Sequence, residues 1–233
     1  MSDETMVDPT IRLSTQHPGA GTTLLLVRHG QTDSNIRELL HGQADVPLTA
    51  LGIAQAGLIA ARLTREIGIA ALYASPLDRA HHTARLIGAA IGHEPILHHG
   101  LMEISFGEAE GLTVPEAWER YPYLRPKAEG EYNFDLQWPG GESRREFRER
   151  VRAALLELLG RHRGEKIVVA AHGGVISVGV SVLLREEQPH WQRYQVGNCS
   201  LTQLTWEEDH LPPAITCLDD RAHLAELLAD NRR

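Results

Sequence analysis

Two apolar runs in this chain stop in the same way. Leu25-Leu26-Val27 passes into Arg28-His29-Gly30-Gln31-Thr32-Asp33-Ser34-Asn35, and Ile167-Val168-Val169-Ala170-Ala171 passes into His172-Gly173-Gly174. Each run reads as a buried strand. Two strands that both end in His-Gly would bring two imidazoles together at one edge of a sheet. In open α/β sheets ligands bind beyond the carboxyl ends of the strands, so this edge is where chemistry is expected.

The rest of the chain supplies such a sheet. Thr22–Val27 is the first strand. Thr49 to about Glu66 carries Leu51, Ala54, Gln55, Leu58, Ile59, Arg62 and Leu63 at helical spacing behind Thr49 as N-cap. Ile69–Ala74 is a second strand. Ser75-Pro76 opens a helix to about Ile91, with Ser75 as N-cap and Pro76 in the first turn. Glu94–Leu97 reads as a short strand, Ser143 to about Arg163 as a long amphipathic helix, Lys166–Ala171 as a strand and Ile176–Leu184 as an apolar helix. Ser200–Trp206 and Ala214–Leu218 are late strands at a sheet edge. Strands alternating with helices predict an α/β fold: a three-layer α/β/α sandwich with a mostly parallel central sheet. Residues 1–21 read as a polar, flexible extension ahead of a single domain over 22–233.

Ile104–Gly141 stands apart. It holds seven of the twelve Phe, Trp and Tyr residues: Phe106, Trp118, Tyr121, Tyr123, Tyr132, Phe134 and Trp138. It also holds Pro115, Pro122, Pro126 and Pro139. Such an insertion is either a lid over a binding site or a loop packed on the domain for stability, and composition alone does not choose.

Composition excludes several functions. The net charge is -8 and no Lys/Arg-rich run occurs, which argues against nucleic acid as a partner. No apolar run approaches the ~20 residues of a membrane span, and the first twenty residues lack the apolar core of a secretory signal. Cys199 and Cys217 form neither a CxxC pair nor a disulfide framework, so reduced thiols in a cytoplasmic protein are expected. Gly19 and Gly21 precede the first strand rather than follow it, and no GxxxxGK[ST] loop exists, so no nucleotide-binding loop is read. The thirteen histidines include the adjacent pairs His81-His82 and His98-His99 but no HExxH or Cys/His series, and no metal or other cofactor is expected.

His29 is suited to covalent catalysis. An imidazole with an unperturbed pKa of about 6.5 is substantially neutral at pH 7. Its free nitrogen can attack phosphorus and then leave in a second step. Phosphoryl transfer also needs charge around the equatorial oxygens, which arginine supplies bidentately. Arg28 and Arg79 are candidates, Arg79 about one turn into the helix after the second strand, and a protonated His172 would add a third positive contact. A carboxylic acid must protonate the leaving oxygen, and spacing alone does not select one of the many Glu residues.

The motifs together resemble the histidine phosphatase superfamily, in the branch that includes cofactor-dependent phosphoglycerate mutases and their phosphatase relatives. The resemblance spans about Thr22 to Trp206. It rests on Leu26–Asn35, Pro47-Leu48-Thr49-Ala50-Leu51-Gly52, Ser75-Pro76-Leu77-Asp78-Arg79-Ala80 with Thr83-Ala84, Leu101–Gly107 with Glu110-Gly111, Pro139-Gly140-Gly141-Glu142-Ser143, and Ala171-His172-Gly173-Gly174. It implies a phosphoglycerate mutase-like fold, His29 as the phosphorylated nucleophile and Glu103 as proton donor and acceptor. It places Arg28, Arg79 and His172 in the phosphate pocket, Asn35 on the phosphoryl group, and the Gly173 amide beside it at a helix N-terminus. Many relatives carry Gln where this chain has His41. An imidazole there can still donate to a phosphoryl oxygen, so His41 is carried as a binding residue.

The expected activity is a metal-independent phosphomonoesterase acting on a small to medium-sized phosphorylated metabolite. A phosphoglycerate mutase is the first alternative. Against it, the insertion sets Arg120, Arg125 and Lys127 against Glu108, Glu110, Glu116, Glu119, Glu129, Glu131 and Asp135, a poor clamp for a small polyanion. A non-catalytic binding module is the second alternative, opposed by the presence of Arg28, His29, Arg79, Glu103 and His172 together. No membrane partner is expected, and pairing through the Ser200–Trp206 strand leaves a homodimer open.

Overall fold

The structure, a computed structural model, describes residues 19–125, 133–187, 193–208 and 212–230. The extension before Gly19, and Pro126, Lys127, Glu129, Glu131 and Tyr132 of the aromatic insertion, lie outside the described residues.

Among the described residues six strands form one sheet: β1 (Thr23–Arg28), β2 (Ile69–Ala74), β3 (Ile96–Leu97), β4 (Lys166–Ala171), β5 (Leu201–Thr205) and β6 (Ala214–Asp220), in the order β3-β2-β4-β1-β5-β6. β3, β2, β4 and β1 are mutually parallel, while β5 runs antiparallel to both β1 and β6. Among the described residues seven α-helices accompany them: α1 (Asp33–Ile36), α2 (Ala50–Leu63), α3 (Asp78–Ile91), α4 (Val114–Arg120), α5 (Arg144–Arg161), α6 (Gly173–Leu183) and α7 (Ala225–Asp230).

Alternation along the strands makes three layers, because successive side chains leave opposite faces of a sheet. Leu24 and Leu26 of β1, with Ile167 and Val169 of β4, pack against Phe147, Leu155 and Leu159 of α5 and the apolar face of α6. Leu25 and Val27, with Val168 and Ala170, pack against Ile59 and Leu63 of α2 and Ile87 of α3. The α/β/α sandwich expected from the sequence is thus the observed fold.

Several boundaries have local causes. Thr49 caps α2 by accepting the Gly52 amide, and Ser143 caps α5 in a reciprocal capping box with Glu146. Ser75 does not cap α3: that helix starts at Asp78 behind Leu77, and the Ser75 hydroxyl is engaged elsewhere. The Ser200–Trp206 strand is not at an edge, since β6 pairs along its outer side and itself forms the sheet edge. Helix α6 begins at Gly173, three residues before the apolar run suggested.

The aromatic insertion builds a small core of its own. Ala109, Ala117, Tyr121, Leu136 and Trp138 are buried together, with Leu40, Phe106, Leu112, Trp118 and Leu124 packed against them. The Trp118 and Trp138 rings lie 4.8 Å apart, and Tyr121 meets Trp138 edge-on at 5.9 Å. Most of these aromatics therefore pack on one another.

Candidate active site

The parallel register of β1 and β4 places the two His-Gly ends side by side. Arg28 pairs with Ala171, and the His29 amide donates to Ala171 O at 2.9 Å. The residues that follow, His29 and His172, consequently meet with ring centroids 5.2 Å apart. The chain after His29 must then turn against the start of α2. A Cβ on Gly30 would sit 2.4 Å from Gly52 O, and one on Gly52 would sit 2.2 Å from Gln31 O, so both positions require glycine. Thr83 braces the turn by accepting the Gly30 amide at 3.1 Å while donating to Arg79 O at 2.8 Å.

A cavity of about 290 Å³ opens at this edge. Arg28, His29, Asn35, Glu103, Gly173 and Gly174 line it, and His41, Leu39, Leu40, Phe106, Gln195 and Val196 form more of its wall. His29 Nδ1 lies 2.7 Å from Gly30 O. A carbonyl only accepts, so Nδ1 carries the ring proton and Nε2 is left with its lone pair. Burial, then the Arg28 and Arg79 guanidiniums, hold the His29 pKa well below its ordinary value, so the ring is neutral.

Arg79 is fully buried, and its Nη1 and Nη2 donate to Ala44 O at 2.9 Å and Gly42 O at 2.6 Å. Burial lowers its pKa to about 10, and the guanidinium remains charged at neutral pH. Arg28 Nη1 donates to Val196 O at 2.6 Å. The Nε atoms of Arg28 and Arg79 and Nδ1 of His172 are buried without a hydrogen-bond partner among the described residues. Three orphaned buried polar atoms around one imidazole are costly unless a ligand satisfies them.

His172 is tied to the turn after β2, its Nε2 lying 2.8 Å from Ser75 Oγ. Burial, followed by the charges of Arg79 and neighbouring rings, holds its pKa well below the ordinary value. That shift favours a neutral, hydrogen-bonding His172 over the cation expected from the sequence. His41 also lines the cavity, 6.0 Å from the His29 ring, and burial with Arg79 nearby lowers its pKa to about 4.

Glu103 faces the same cavity from the segment before the insertion. Its Oε1 accepts the Ile104 amide at 3.0 Å and its Oε2 the Gly174 amide at 2.9 Å. Burial raises its pKa, and those two bonds and the two arginines only partly oppose this. The backbone beneath it is held by Arg150, which donates to Met102 O at 2.8 Å and forms a bidentate pair with Glu142 at 2.9 and 2.7 Å. Glu110 accepts the Gln43 and Phe106 amides, joining the His41 loop to the cavity wall.

All eight residues singled out from the sequence therefore converge: seven line the cavity or, as Arg79 does, brace its loop, and His172 packs on His29. Sequence reasoning did not single out Arg150 or Asn198. Arg150 reads as one more polar residue on an exposed helix face. Asn198 donates to His29 O at 3.0 Å and to Asn35 Oδ1 at 3.1 Å, and its only local mark is a Gly-Asn turn before β5. Among the described residues, no group of three or more His, Cys, Asp and Glu could hold a metal ion, and no helix is long and apolar enough to cross a membrane. Cys199 and Cys217 are free.

A strand-end imidazole with a free nitrogen, a buried arginine, a half-buried one and an opposed carboxyl are the parts of a phosphoryl-transfer site. The profile of the histidine phosphatase superfamily (branch 1) matches residues 24–218, and the chain belongs to that family. Among curated proteins it is 35% identical over 184 residues to one named "Probable phosphoglycerate mutase GpmB" from Enterobacter sp. (strain 638), covering 78% of this chain and 84% of that protein. Among solved structures it resembles phosphoserine phosphatase from Entamoeba histolytica in complex with 3-phosphoglyceric acid, with TM-score 0.72, 28% identity, and 87% and 99% of the two chains covered. It also resembles mycobacterial glucosyl-3-phosphoglycerate phosphatase in complex with VO3, with TM-score 0.72, 27% identity, and 84% and 98% covered.

Proposed function

We propose that this protein is a phosphomonoesterase that works through a phosphohistidine on His29 without a metal. The observation that carries this reading is the 2.7 Å bond from His29 Nδ1 to Gly30 O, which leaves Nε2 as the nucleophilic nitrogen of a neutral ring. Nε2 attacks the phosphorus of a bound ester. The P–O bond to the alcohol breaks as Glu103 delivers its proton to the leaving oxygen. Water then attacks the phosphohistidine with the Glu103 carboxylate accepting its proton, and inorganic phosphate leaves as Nε2 is freed. Arg28, Arg79 and the orphaned His172 Nδ1 supply the donors for the three equatorial oxygens, with Asn35, His41 and the Gly173 amide as further contacts. Two arginines provide the charge that a metal supplies in other phosphoryl-transfer sites.

The substrate is a small to medium-sized phosphorylated metabolite with a partly apolar alcohol. Away from the groups assigned to the phosphoryl oxygens, the cavity is lined by Leu39, Leu40, Phe106 and Val196 with Gly42 and the polar Ser177 and Gln195, and Arg28 is the arginine among the described lining residues. That wall suits an uncharged leaving group better than a second anion. The phosphatase titles of two solved neighbours support hydrolysis. The mutase name of the GpmB relative favours a second reading, return of the phosphoryl group to a bound glycerate.

The test is phosphate release from a panel of small and bulky monoesters by wild type and His29→Ala, with and without EDTA, beside conversion of 3- to 2-phosphoglycerate. Release that resists chelator and vanishes in the variant supports the proposal. Efficient isomerisation without release makes the protein a mutase.

A further inference from the structure

We infer that Asn198 is a positioning residue: its carboxamide fixes the orientation of the Asn35 amide and so aims the Asn35 Nδ2 donor at the phosphoryl group. This inference rests on the phosphoryl pocket proposed above.

An amide side chain has one accepting and one donating end, and its neighbours decide which end faces where. At Asn198 the decision is made by the nucleophile's own backbone. Nδ2 of Asn198 lies 3.0 Å from His29 O, an atom that only accepts, so that end of the amide is the NH2. The same Nδ2 lies 3.1 Å from Asn35 Oδ1. Asn35 Oδ1 also receives the Thr32 amide and hydroxyl, each at 3.1 Å. Rotating the Asn35 amide by half a turn would set its NH2 against the Thr32 N–H and the Asn198 NH2, two donors with nothing to accept them. Asn35 is thereby held with its oxygen on the protein side, while its Nδ2 makes no hydrogen bond among the described residues and the side chain lines the cavity.

Without Asn198 this polarisation weakens. Of the two donors that cannot reverse, only the Thr32 N–H then remains on Oδ1, beside the Thr32 hydroxyl, which can rotate to donate or accept. The loop carrying Asn198 is itself anchored: Arg28 Nη1 binds Val196 O, Gly197 N donates to Asp219 Oδ1 at 2.6 Å, and the Cys199 amide donates to Arg28 O at 3.0 Å. Asn198 is thus presented from a braced turn, as an orienting group must be.

The experiment is a double-mutant cycle read as orthovanadate affinity by calorimetry, which needs no turnover. Asn35→Ala is expected to weaken vanadate roughly tenfold or more, the size expected for one hydrogen bond to a charged ligand. Asn198→Ala is expected to weaken it about threefold or more, less than Asn35→Ala because the Thr32 N–H still holds Oδ1, although Asn198 touches no ligand. The double variant is expected to be no more than about twofold worse than Asn35→Ala, because the second substitution acts through a group already removed. Asn198→Asp is isosteric, loses both donated bonds and is the variant of record should the alanine variant not fold; it is expected to show the same dependence on Asn35. Wild-type affinity in Asn198→Ala and Asn198→Asp, or losses that multiply in the double variant, would overturn the inference alone. Failure of the wild type to bind vanadate would overturn it together with the pocket on which it rests.

Discussion

Gly174 donates its backbone amide to Oε2 of Glu103 at 2.9 Å, so the carboxyl sits on the first turn of α6, immediately beyond His172. A helix N-terminus stabilises a carboxylate, yet burial prevails and the pKa of Glu103 is raised. The bond fixes the group in place and burial favours its protonated form, which is what the proposed general acid needs. Glu103→Gln is therefore expected to lower kcat/KM for alkyl phosphates by about 10²–10⁴-fold, and kcat/KM for 4-nitrophenyl phosphate, whose leaving oxygen needs no proton, far less. Because dephosphorylation is common to both esters, the comparison is of kcat/KM, and equal losses of kcat/KM on the two would contradict the assignment.

The pH profile of kcat/KM follows from the same two groups. His29 must be unprotonated, so activity is lost as pH falls through its pKa, and that pKa lies well below the usual 6.5. Glu103 must be protonated, so activity is lost as pH rises through its raised pKa. The acid limb is expected below pH 6.5, and the alkaline limb is expected to disappear for 4-nitrophenyl phosphate in Glu103→Gln. Profiles of kcat/KM on both proteins test the assignment.

Stability carries a separate signature of His41. Its pKa is about 4 in the folded protein, mainly through burial and then Arg79, against about 6.5 unfolded. The unfolded chain binds the proton first, so stability present above pH 6.5 is lost as pH falls from about 6.5 towards about 4. His29 and His172 act in the same direction, and the raised Glu103 opposes them. His41→Gln is expected to lower by about one proton the uptake that accompanies unfolding in that window, measured as the slope of unfolding free energy against pH.

Much of this was legible in the chain itself. The bounds of β2 and β4 match the sequence reading, because each apolar run stops abruptly at a polar residue, Ser75 after β2 and His172 after β4. The two His-Gly ends marked the site, since nothing but adjacency of β1 and β4 makes them useful together. Other features depend on contacts distant in sequence. Ser75 has the residue type of a helix cap, but its hydroxyl is taken by His172. The early start of α6 escaped notice because Gly173 and Gly174 have poor helix propensity. The helix that begins there has its Gly174 amide bonded to Glu103. Asn198 acts across 163 residues on Asn35, and no local pattern reports that.

The aromatic insertion divides into wall and backing. Phe106 and Leu40 line the cavity and also join the small aromatic core, whereas Trp118 belongs to that core alone. Phe106→Ala is expected to change the ratio of kcat/KM between bulky and small esters. Trp118→Ala is expected to lower stability by about 1–3 kcal/mol and to alter that ratio less. Denaturation curves and a two-substrate comparison on each variant separate the roles.

The most direct test of the account is to look for the phosphorylated imidazole. Wild-type protein mixed with a phosphomonoester in EDTA is quenched in alkali and digested, and the peptide bearing His29 is weighed by mass spectrometry. One added phosphoryl group is expected on His29, stable to alkali, labile to acid, and absent from His29→Ala. Phosphate release with His29 never modified, or undiminished release by His29→Ala, would contradict it.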